Sequence, residues 1–334
     1  MPVTSHASPN AAVEGVLAVL AGAPLERAAE RCGMVAADLA DAVEVYRAAG
    51  EAALNAASPD GRWYHVHIEF PDWAAAERTG ADHLGPILHR LAPAIGSWWF
   101  IRKAPCWRVR CRPAPGAGLA DTRAAVIEAL DRLTAAGEVS RWWETVYESE
   151  ALAFGGPVGM EAAHALFVAD SGAVLDCVRR QHGTAEPHPA IGRREVSILL
   201  CGALFHGAGQ EWHEQGDVWH RVARLRPLPA DVPADRLREL TASLRRLMTV
   251  DTGPRSPLLA ADRPLAFAAP WAAAFTTAGQ ALGRAAHDGI LERGLRDVLA
   301  HHVIFHWNRL GLPGRTQAIL ARAARDLVMN SSGS

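Results

Sequence analysis

A basic and aromatic segment at residues 100–112 carries the clearest chemical signal in the chain. It contains no acidic residue, and its five positive charges are those of Arg102, Lys103, Arg108, Arg110 and Arg112. From Trp107 onward apolar residues alternate with arginines, which predicts a β-strand with one apolar face and one arginine face. Guanidinium groups on one face repel each other unless that face meets solvent or an anionic partner. The pattern therefore predicts a local binding site.

Two further groups combine proton donors and acceptors. Tyr147 and Glu150 end a predicted strand just before a Phe-Gly-Gly sequence at residues 154–156, and strand ends beside glycine loops often hold active-site residues. The second group lies near the end of a predicted helix and consists of His306, Asn308 and Arg309. The alternatives are a solvated strand end for the first group and, for the second, a cationic helix end that favours the helix dipole.

Composition and charge argue against several classes of protein. The chain has 334 residues and a formal net charge of −2, so we expect no general binding to nucleic acid or to a membrane surface. No secretory signal or membrane-spanning stretch is recognised in the sequence. The five cysteines are scattered, which favours reduced thiols and a cytoplasmic protein.

Sequence motifs for metal and nucleotide binding are also missing. His65 and His67 share one face of a predicted strand, but no spaced set of histidines and cysteines accompanies them, so a polar sheet face is favoured over a metal site. Neither a glycine-rich phosphate-binding motif nor a serine-nucleophile motif occurs. We therefore expect no metal and no cofactor.

Three regions of the chain must position these residues. Helical periodicity at residues 11–57 predicts a three-helix extension, whose seven acidic and three basic residues argue against a DNA-binding module. A turn at residues 58–61 marks the predicted boundary. Residues 62–150 are predicted as strand, helix, strand, helix and strand, with both helices on one face of a small sheet. The rest is predicted as helices at residues 159–169, 171–181, 193–207, 234–248, 271–286, 291–307 and 314–328.

The predicted fold class is therefore α+β. It consists of a small, mainly antiparallel sheet flanked by helices, a largely helical half after it, and an N-terminal three-helix extension. The predicted domains are the extension at residues 1–60 and a catalytic domain at residues 61–330.

Five short motifs, taken in order and spacing, resemble those of a known family. They are Trp63-Tyr64 at the start of a strand, Trp99-Phe100-Ile101-Arg102 before Trp107-Arg108-Val109-Arg110, Tyr147-Glu148-x-Glu150 before Phe154-Gly155-Gly156, Phe167-x-x-Asp170-Ser171, and His306-x-Asn308-Arg309-Leu310. Over residues 62–328 the chain resembles the C-terminal elimination domain of lantibiotic dehydratases. It is most similar to the stand-alone relatives of that domain in thiopeptide biosynthesis.

The resemblance implies one of two chemistries. The eliminases remove glutamate from glutamylated Ser or Thr, whereas the pyridine synthases join two dehydroalanines of a thiazole-containing precursor peptide by a formal [4+2] aza-cycloaddition. The chain departs from the eliminase pattern at two positions: Ala153 replaces an arginine, and Ile304 replaces the first histidine of the helix motif. These departures favour the pyridine synthases, in which loss of water and of the leader peptide gives the central pyridine and closes the macrocycle.

The resemblance also implies roles for the candidate residues. Proton transfer is expected of Tyr147, Glu150 and His306, without an assignment of individual steps. Substrate binding is expected of Trp99, Arg102, Trp107, Arg108, Arg110, Asn308 and Arg309, with the aromatic rings stacking on thiazoles. The expected partner is a ribosomal precursor peptide, bound through its leader or its modified core. Homodimerisation is left open, and no cofactor is needed.

Two alternatives remain at this stage. Retention of Arg108, Arg110 and His306 is compatible with a glutamate eliminase that produces dehydroalanine from glutamylated Ser. The acidic N-terminal helices and the basic strand are compatible with a non-catalytic protein that binds a leader peptide.

Overall fold

The computed structural model describes residues 9–57, 62–183, 191–253 and 256–330. The chain divides into two compact units, Met1–Arg62 and Trp63–Ser334. In the first unit three helices follow one another: α1 (Pro9–Leu20), α2 (Leu25–Cys32) and α3 (Ala36–Ala57). Their small core is formed by Val16, Ala28, Ala29, Leu39 and Val43. The predicted three-helix extension is confirmed, while the turn predicted at residues 58–61 lies outside the described residues.

The second unit begins with a four-stranded antiparallel sheet. Its strands are β1 (Tyr64–Glu69), β2 (Ile95–Lys103), β3 (Cys106–Pro113) and β4 (Arg141–Thr145). They lie in the order β2-β3-β1-β4, so the arginine-bearing strand β3 is central and β4 is at an edge. The predicted α+β class with a small antiparallel sheet is confirmed.

The sheet has one strand more than the sequence predicted. Strands β2 and β3 form a hairpin whose last pair joins Lys103 to Cys106, so the turn falls at Ala104 and Pro105. Proline has no backbone N–H to donate to a ladder, and strand pairing therefore ends there. The prediction of three strands between residues 62 and 150 was wrong because it did not separate the residues before Ala104 from the arginine strand as a strand of their own.

One face of the sheet is buried under the helices that connect the strands. A nearly continuous helical segment consists of α4 (Ala76–Thr79), a π-helical stretch (Gly80–Leu84) and α5 (Gly85–Arg90), and α6 (Leu119–Ala135) precedes β4. Trp107 on this face has no exposed surface and stacks on Phe100 with ring centroids 4.5 Å apart. A Cβ at Gly80 would come within 2.5 Å of the Trp107 indole, so only glycine allows the helix to approach this closely.

The remainder of the described chain is helical. The helices are α7 (Ala151–Phe154), α8 (Gly156–Gly183), α9 (Arg193–Gly207), α10 (Trp212–Leu225), α11 (Ala234–Met248), α12 (Ala269–His287), α13 (Leu295–Leu310) and α14 (Gly314–Met329). The largely helical second half is confirmed. Two details of the prediction were wrong: α8 is one helix where two had been predicted, and α10 had not been predicted.

Helix α8 is a core helix of this unit. It is the one described helix that is long and apolar enough to cross a membrane, and half of its most apolar window is buried inside the protein. Within it Asp170 and Ser171 have no exposed surface, and the Ser171 hydroxyl accepts a hydrogen bond from the Phe100 backbone N–H at 3.0 Å. The hydroxyl thereby satisfies a donor on the edge strand β2.

Candidate functional site

A cavity of about 360 Å³ lies against the arginine face of the sheet. Strands β2 and β3, the segment after β4, and helices α7, α8 and α13 all contribute to its wall. Its lining combines aromatic rings, five cationic side chains and two carboxylates. The lining residues are Trp99, Ile101, Arg102, Lys103, Arg108, Arg110, Tyr147, Glu148, Glu150, Phe154, Met160, Phe167, Arg226, Phe305 and Asn308.

The Phe-Gly-Gly sequence forms the turn that places Phe154 in this wall. Gly155 and Gly156 have φ angles of +89° and +86°, in the left-handed region that glycine adopts without steric cost. A Cβ at Gly155 would lie 2.6 Å from Leu291, and one at Gly156 would lie 2.4 Å from the Glu292 side chain. The two glycines therefore let the chain reverse tightly between α7 and α8.

Arg110 is the most deeply buried cation on the strand that faces the cavity. Its guanidinium lies 4.3 Å from the Trp99 ring and 5.2 Å from the Tyr147 ring, and it donates a hydrogen bond to the Arg108 carbonyl oxygen at 3.2 Å. Burial is the main reason that the pKa of Arg110 falls to about 9, and the nearby Arg108 charge lowers it further. Arg110 still carries its charge at neutral pH, within a low-dielectric aromatic wall.

Tyr147 is paired with a histidine that the sequence prediction missed. Its hydroxyl oxygen lies 2.8 Å from Nε2 of His164 on helix α8, and its ring is buried. His164 follows Met160 by four residues and precedes Phe167 by three, so all three lie on one face of the helix. That spacing was the available signal, because it places a polar side chain within an apolar stripe beside the predicted sheet.

Glu150 and Glu148 lie where the cavity opens. Both are exposed in the segment between β4 and α7, and both belong to the cavity lining. Together with Tyr147 they place two carboxylates and a phenol within one small volume. Tyr147 and Glu150 therefore lie together in the cavity lining, at the strand end where the sequence had placed them.

His306 and Arg309 take part in a buried network away from the cavity lining. Nδ1 of His306 lies 3.0 Å from Oδ1 of Asp170, and a guanidinium nitrogen of Arg309 donates to the other carboxylate oxygen. Burial alone would raise the pKa of the Asp170 carboxyl, but His306 and Arg309 outweigh it and hold that pKa below its usual range. Trp271 also donates its indole N–H to Asp170 at 2.8 Å.

Arg309 connects this network to the sheet. Its Nε donates to the Phe100 carbonyl oxygen at 2.9 Å, and its guanidinium lies 4.7 Å from the ring of Phe167, which lines the cavity. His306 and Arg309 each expose only 1% of their surface. The structure therefore places both residues behind the cavity wall, where they hold β2 against α8 and α13, and it does not bring them to a bound substrate.

Trp107 and Arg102 also differ from their expected placement. Trp107 faces the connecting helices on the opposite side of the sheet, so it does not contact the cavity. Arg102 reaches the cavity lining, but its side chain is largely buried and forms ion pairs with Glu77, which Arg193 also contacts. The expected stacking of a thiazole on Trp107 does not agree with this geometry because the indole is fully buried on the face of the sheet opposite to the cavity.

Asn308 belongs to a hydrogen-bonded chain at the cavity wall. Its side-chain oxygen accepts from Nε2 of Gln317 at 3.0 Å, and Oε1 of Gln317 accepts from Nε of Arg226 at 2.8 Å. Arg226 lines the cavity as well and had no motif to indicate it. Because Arg226 and Gln317 lie 91 residues apart in sequence, only the folded chain brings them together.

The two histidines of β1 lie on the same sheet face as Arg108 and Arg110. His65 pairs with Arg110 and His67 with Arg108 across the β1–β3 ladder. Burial is the largest cause that lowers the pKa of His65 to about 3, and Arg110 adds to it. Burial also lowers the pKa of His67, again with help from the arginine charges. Among the described residues, no group of three or more His, Cys, Asp and Glu is arranged to hold a metal ion.

Comparison with known proteins places this geometry in a family. Residues 63–328 match the family model described as the C-terminal part of lantibiotic biosynthesis dehydratases. No curated protein sequence matches the chain significantly.

Solved structures share the fold at low sequence identity. The tRNA-dependent lantibiotic dehydratase MibB from Microbispora sp. 107891 aligns with a TM-score of 0.63 and 19% identity, over 82% of this chain and 28% of that one. The pyridine synthase TbtD, from thiomuracin biosynthesis, gives 0.54 and 16%, over 80% of this chain and 98% of that one. TsrL gives 0.54 and 16%, over 81% and 99%.

The length of this chain resembles that of TbtD and TsrL and differs from that of MibB. This chain spans little more than a quarter of MibB but nearly the whole of TbtD and TsrL. Identities of this size establish a common fold. The family model, in contrast, covers most of the chain, including both strands of the cavity wall and the helices behind it. The chain belongs to the lantibiotic biosynthesis dehydratase C-terminal family.

Proposed function

We propose that this protein is a pyridine synthase of thiopeptide biosynthesis, acting on a ribosomally made precursor peptide. The substrate carries two dehydroalanines and azole rings. In a formal [4+2] aza-cycloaddition, one dehydroalanine and the preceding amide, as its imidic-acid tautomer, form the azadiene, and the alkene of the other dehydroalanine adds to its two terminal carbons through two new carbon–carbon bonds. The imidic oxygen then leaves as water and the leader peptide leaves as an amide, which makes the ring aromatic. The two eliminations supply the aromatisation, so the reaction needs no external oxidant.

The observation that carries this choice is the apolar character of two positions where the glutamate-eliminating relatives carry polar groups. Ala153 packs against the apolar cluster that contains Phe154 and Tyr147, and Ile304 is buried in the main core. Neither position can offer a cation or an imidazole to a glutamyl carboxylate. The absence of these two groups favours pyridine formation over glutamate elimination.

The cavity has the size and wall composition for positioning a folded peptide core. Its volume of about 360 Å³ is at the small end of the range for ligand sites, which suits two dehydroalanines and their neighbouring rings. Trp99, Phe154, Phe167 and Phe305 supply aromatic surface. Holding the azadiene against the second alkene accounts for roughly 7–11 kcal/mol of a barrier of this kind.

Tyr147 and His164 form the proton-transfer pair in this proposal. Tyr147 lines the cavity and its phenol oxygen lies within hydrogen-bond distance of the imidazole, so a proton given to a leaving group by Tyr147 is replaced through His164. Glu150, at the cavity opening, is the acceptor for the proton that leaves the ring on aromatisation. His306 positions the wall through Asp170, and Arg108 and Arg110 bind peptide carbonyl groups.

A paired assay tests this function. The purified protein is incubated separately with a leader-bearing peptide that contains two dehydroalanines and thiazoles, and with a glutamylated peptide. We expect the first to lose its leader and gain the ultraviolet absorbance of a pyridine, and the second to remain unchanged. If the glutamylated peptide is converted and the first is not, the proposal is wrong.

Glutamate elimination is the second candidate because one observation favours it. Arg108 and Arg110 both line the cavity, and guanidinium groups bind carboxylates well. This reading predicts glutamate release without any pyridine absorbance in the same paired assay.

The proposed setting is the cytoplasm, where a precursor peptide is synthesised. All five cysteines lie in the described part of the chain as free thiols, four of them buried. The leader peptide is the proposed partner. Its basic residues could pair with the acidic three-helix unit, and its acidic residues with the basic strand β3.

A further inference from the structure

A continuous chain of ring contacts leads out of the cavity along the arginine face of the sheet. The Tyr147 ring contacts His65 with centroids 6.0 Å apart, His65 contacts His67 at 5.0 Å, and His67 contacts Trp143 at 5.2 Å. All three contacts are edge-to-face, a favourable geometry for aromatic rings. The four rings, which we call the ring strip, run from the candidate catalytic tyrosine to the edge strand β4.

Strand pairing explains why these rings form one row. Arg108 pairs with His67 across β3 and β1, and His67 pairs with Trp143 across β1 and β4. Directly opposed residues on antiparallel strands point to the same face. The cavity wall and the outer end of the ring strip are therefore parts of one surface.

This surface changes character along its length. Near β2 and β3 it is covered by the apolar cluster that includes Trp99, Met160 and Phe167. At β1 and β4, His67 and Trp143 are partly exposed. Arg141 lies 5.2 Å from the Trp143 ring and is held by Glu69 at 2.8 Å, so the indole has a supported orientation. The low pKa values of His65 and His67 keep both imidazoles neutral at physiological pH.

We propose that the partly exposed outer end of the ring strip, formed by His67 and Trp143, binds the azole rings of the part of the substrate that lies outside the cavity. This inference rests on the proposed function, because the substrate of that reaction carries flat, neutral heteroaromatic rings. Such rings stack on indole and imidazole irrespective of the neighbouring side chains. The outer end of the strip thus adds a contact for the substrate outside the cavity lining.

A binding measurement without turnover tests the strip. Two fluorescent peptides of equal length lack dehydroalanine, and they differ only in carrying either thiazoles or serines at the same positions. Their dissociation constants are measured with the wild-type protein and with Trp143→Val, which places a residue of high strand propensity in β4. The matched control is Trp142→Phe, because Trp142 lies next in the same strand on the opposite face and donates to Asp131.

We expect the wild type to prefer the thiazole peptide, and Trp143→Val to weaken its binding by roughly 3- to 30-fold while leaving the serine peptide unchanged. Trp142→Phe should change neither. Equal weakening of both peptides, no change in either, or no binding by the wild type overturns the proposal. A preference for the thiazole peptide, combined with no pyridine formation in the paired assay described under the proposed function, would refute the proposed function and leave the strip standing, so the two failures are distinguishable.

Discussion

Replacement of Arg110 by methionine should remove catalytic activity while leaving the stability of the fold nearly unchanged. The side chain is buried, lies over Trp99 and Tyr147, and has no carboxylate within ion-pairing distance among the described residues. Methionine retains much of the apolar contact and removes the charge. A structural role and a functional role for Arg110 therefore predict different outcomes.

The expected change in the free energy of unfolding follows from the cost of burying the Arg110 charge and from the contacts that offset this cost. Burial and the other causes lower the pKa of Arg110 from 12.5 to about 9, which corresponds to a penalty of roughly 5 kcal/mol against the charged form in the folded state. Because the folded-state pKa is the lower one, this penalty is fully present below about pH 9 and is relieved only above it. Against it stand two cation–π contacts at about 1–2 kcal/mol each and one charged hydrogen bond at about 1.5–3 kcal/mol.

These terms nearly cancel, so the free energy of unfolding should change by less than about 2 kcal/mol in either direction. The loss of a positioned cation from the reacting centre should lower kcat by about 10²–10³-fold. The assays are urea unfolding at pH 7.5 and turnover of the bis-dehydroalanine peptide. The control is Arg112→Met, since Arg112 lies on the same strand but is exposed and outside the cavity lining.

Two results would refute this reasoning. A loss of about 3–5 kcal/mol or more in Arg110→Met, without a comparable loss in Arg112→Met, would mean that Arg110 is part of a structural ion pair. Full activity in Arg110→Met would mean that the arginine face of β3 does not contribute to the reaction.

Three further predictions concern the pair and the network behind it. Tyr147→Phe keeps the ring but removes the hydroxyl paired with His164, so kcat should fall about 10²–10⁴-fold with an unchanged melting temperature, as measured by turnover and calorimetry. Asp170→Asn leaves the buried Arg309 guanidinium without its counter-ion and should cost about 3–5 kcal/mol in urea unfolding, and an unaltered stability would contradict the network. Burial lowers the pKa of His302 from 6.5 to about 3 in the folded protein, so protonation of the unfolded chain destabilises the wild type as the pH falls from 7 to 5. His302→Leu lacks this loss, so its unfolding free energy relative to that of the wild type should rise by about 2 kcal/mol over the same pH interval, as measured by urea unfolding at both pH values.

The parts of the fold that the sequence predicted are those with one buried face. Strand β3 alternates arginines with Trp107 and Val109 because one side meets the core and the other meets the cavity. Strand β2 escaped prediction because both of its faces are covered: Trp98 and Phe100 lie in one apolar cluster, and Trp99 and Ile101 lie in the other. A strand buried on both sides has no period-two signal.

The helices show the same limit. The interruption predicted in α8 falls at Asp170, directly before Ser171, and two adjacent polar residues resemble a helix boundary in sequence. In the folded chain both are buried and bonded, one to Arg309 and the other to the Phe100 backbone, so the helix continues. Their partners lie 139 and 71 residues away, and no local pattern reports contacts of that range.

The candidate site was predicted in part for the same reason. Residues of β3 and the segment after β4 lie in the cavity lining as expected, because strand alternation fixes the direction of their side chains. Helix α13 was less predictable: His306 and Arg309 were expected at a pocket, but they are turned towards Asp170, and Asn308 alone of that group lines the cavity. Helical periodicity alone does not predict which of these side chains reach the cavity, because their direction depends on which face of α13 packs against α8.

Pyridine formation in this cavity is tested by the mass balance of one reaction. A bis-dehydroalanine thiazole peptide is incubated with the purified protein, and all products are weighed by mass spectrometry while absorbance is followed. We expect one leader peptide to be released for each pyridine formed. The mass of the macrocycle should equal the mass of the substrate minus the masses of the released leader and one water. Leader release without a pyridine, or no reaction with this substrate beside glutamate loss from a glutamylated one, would contradict it.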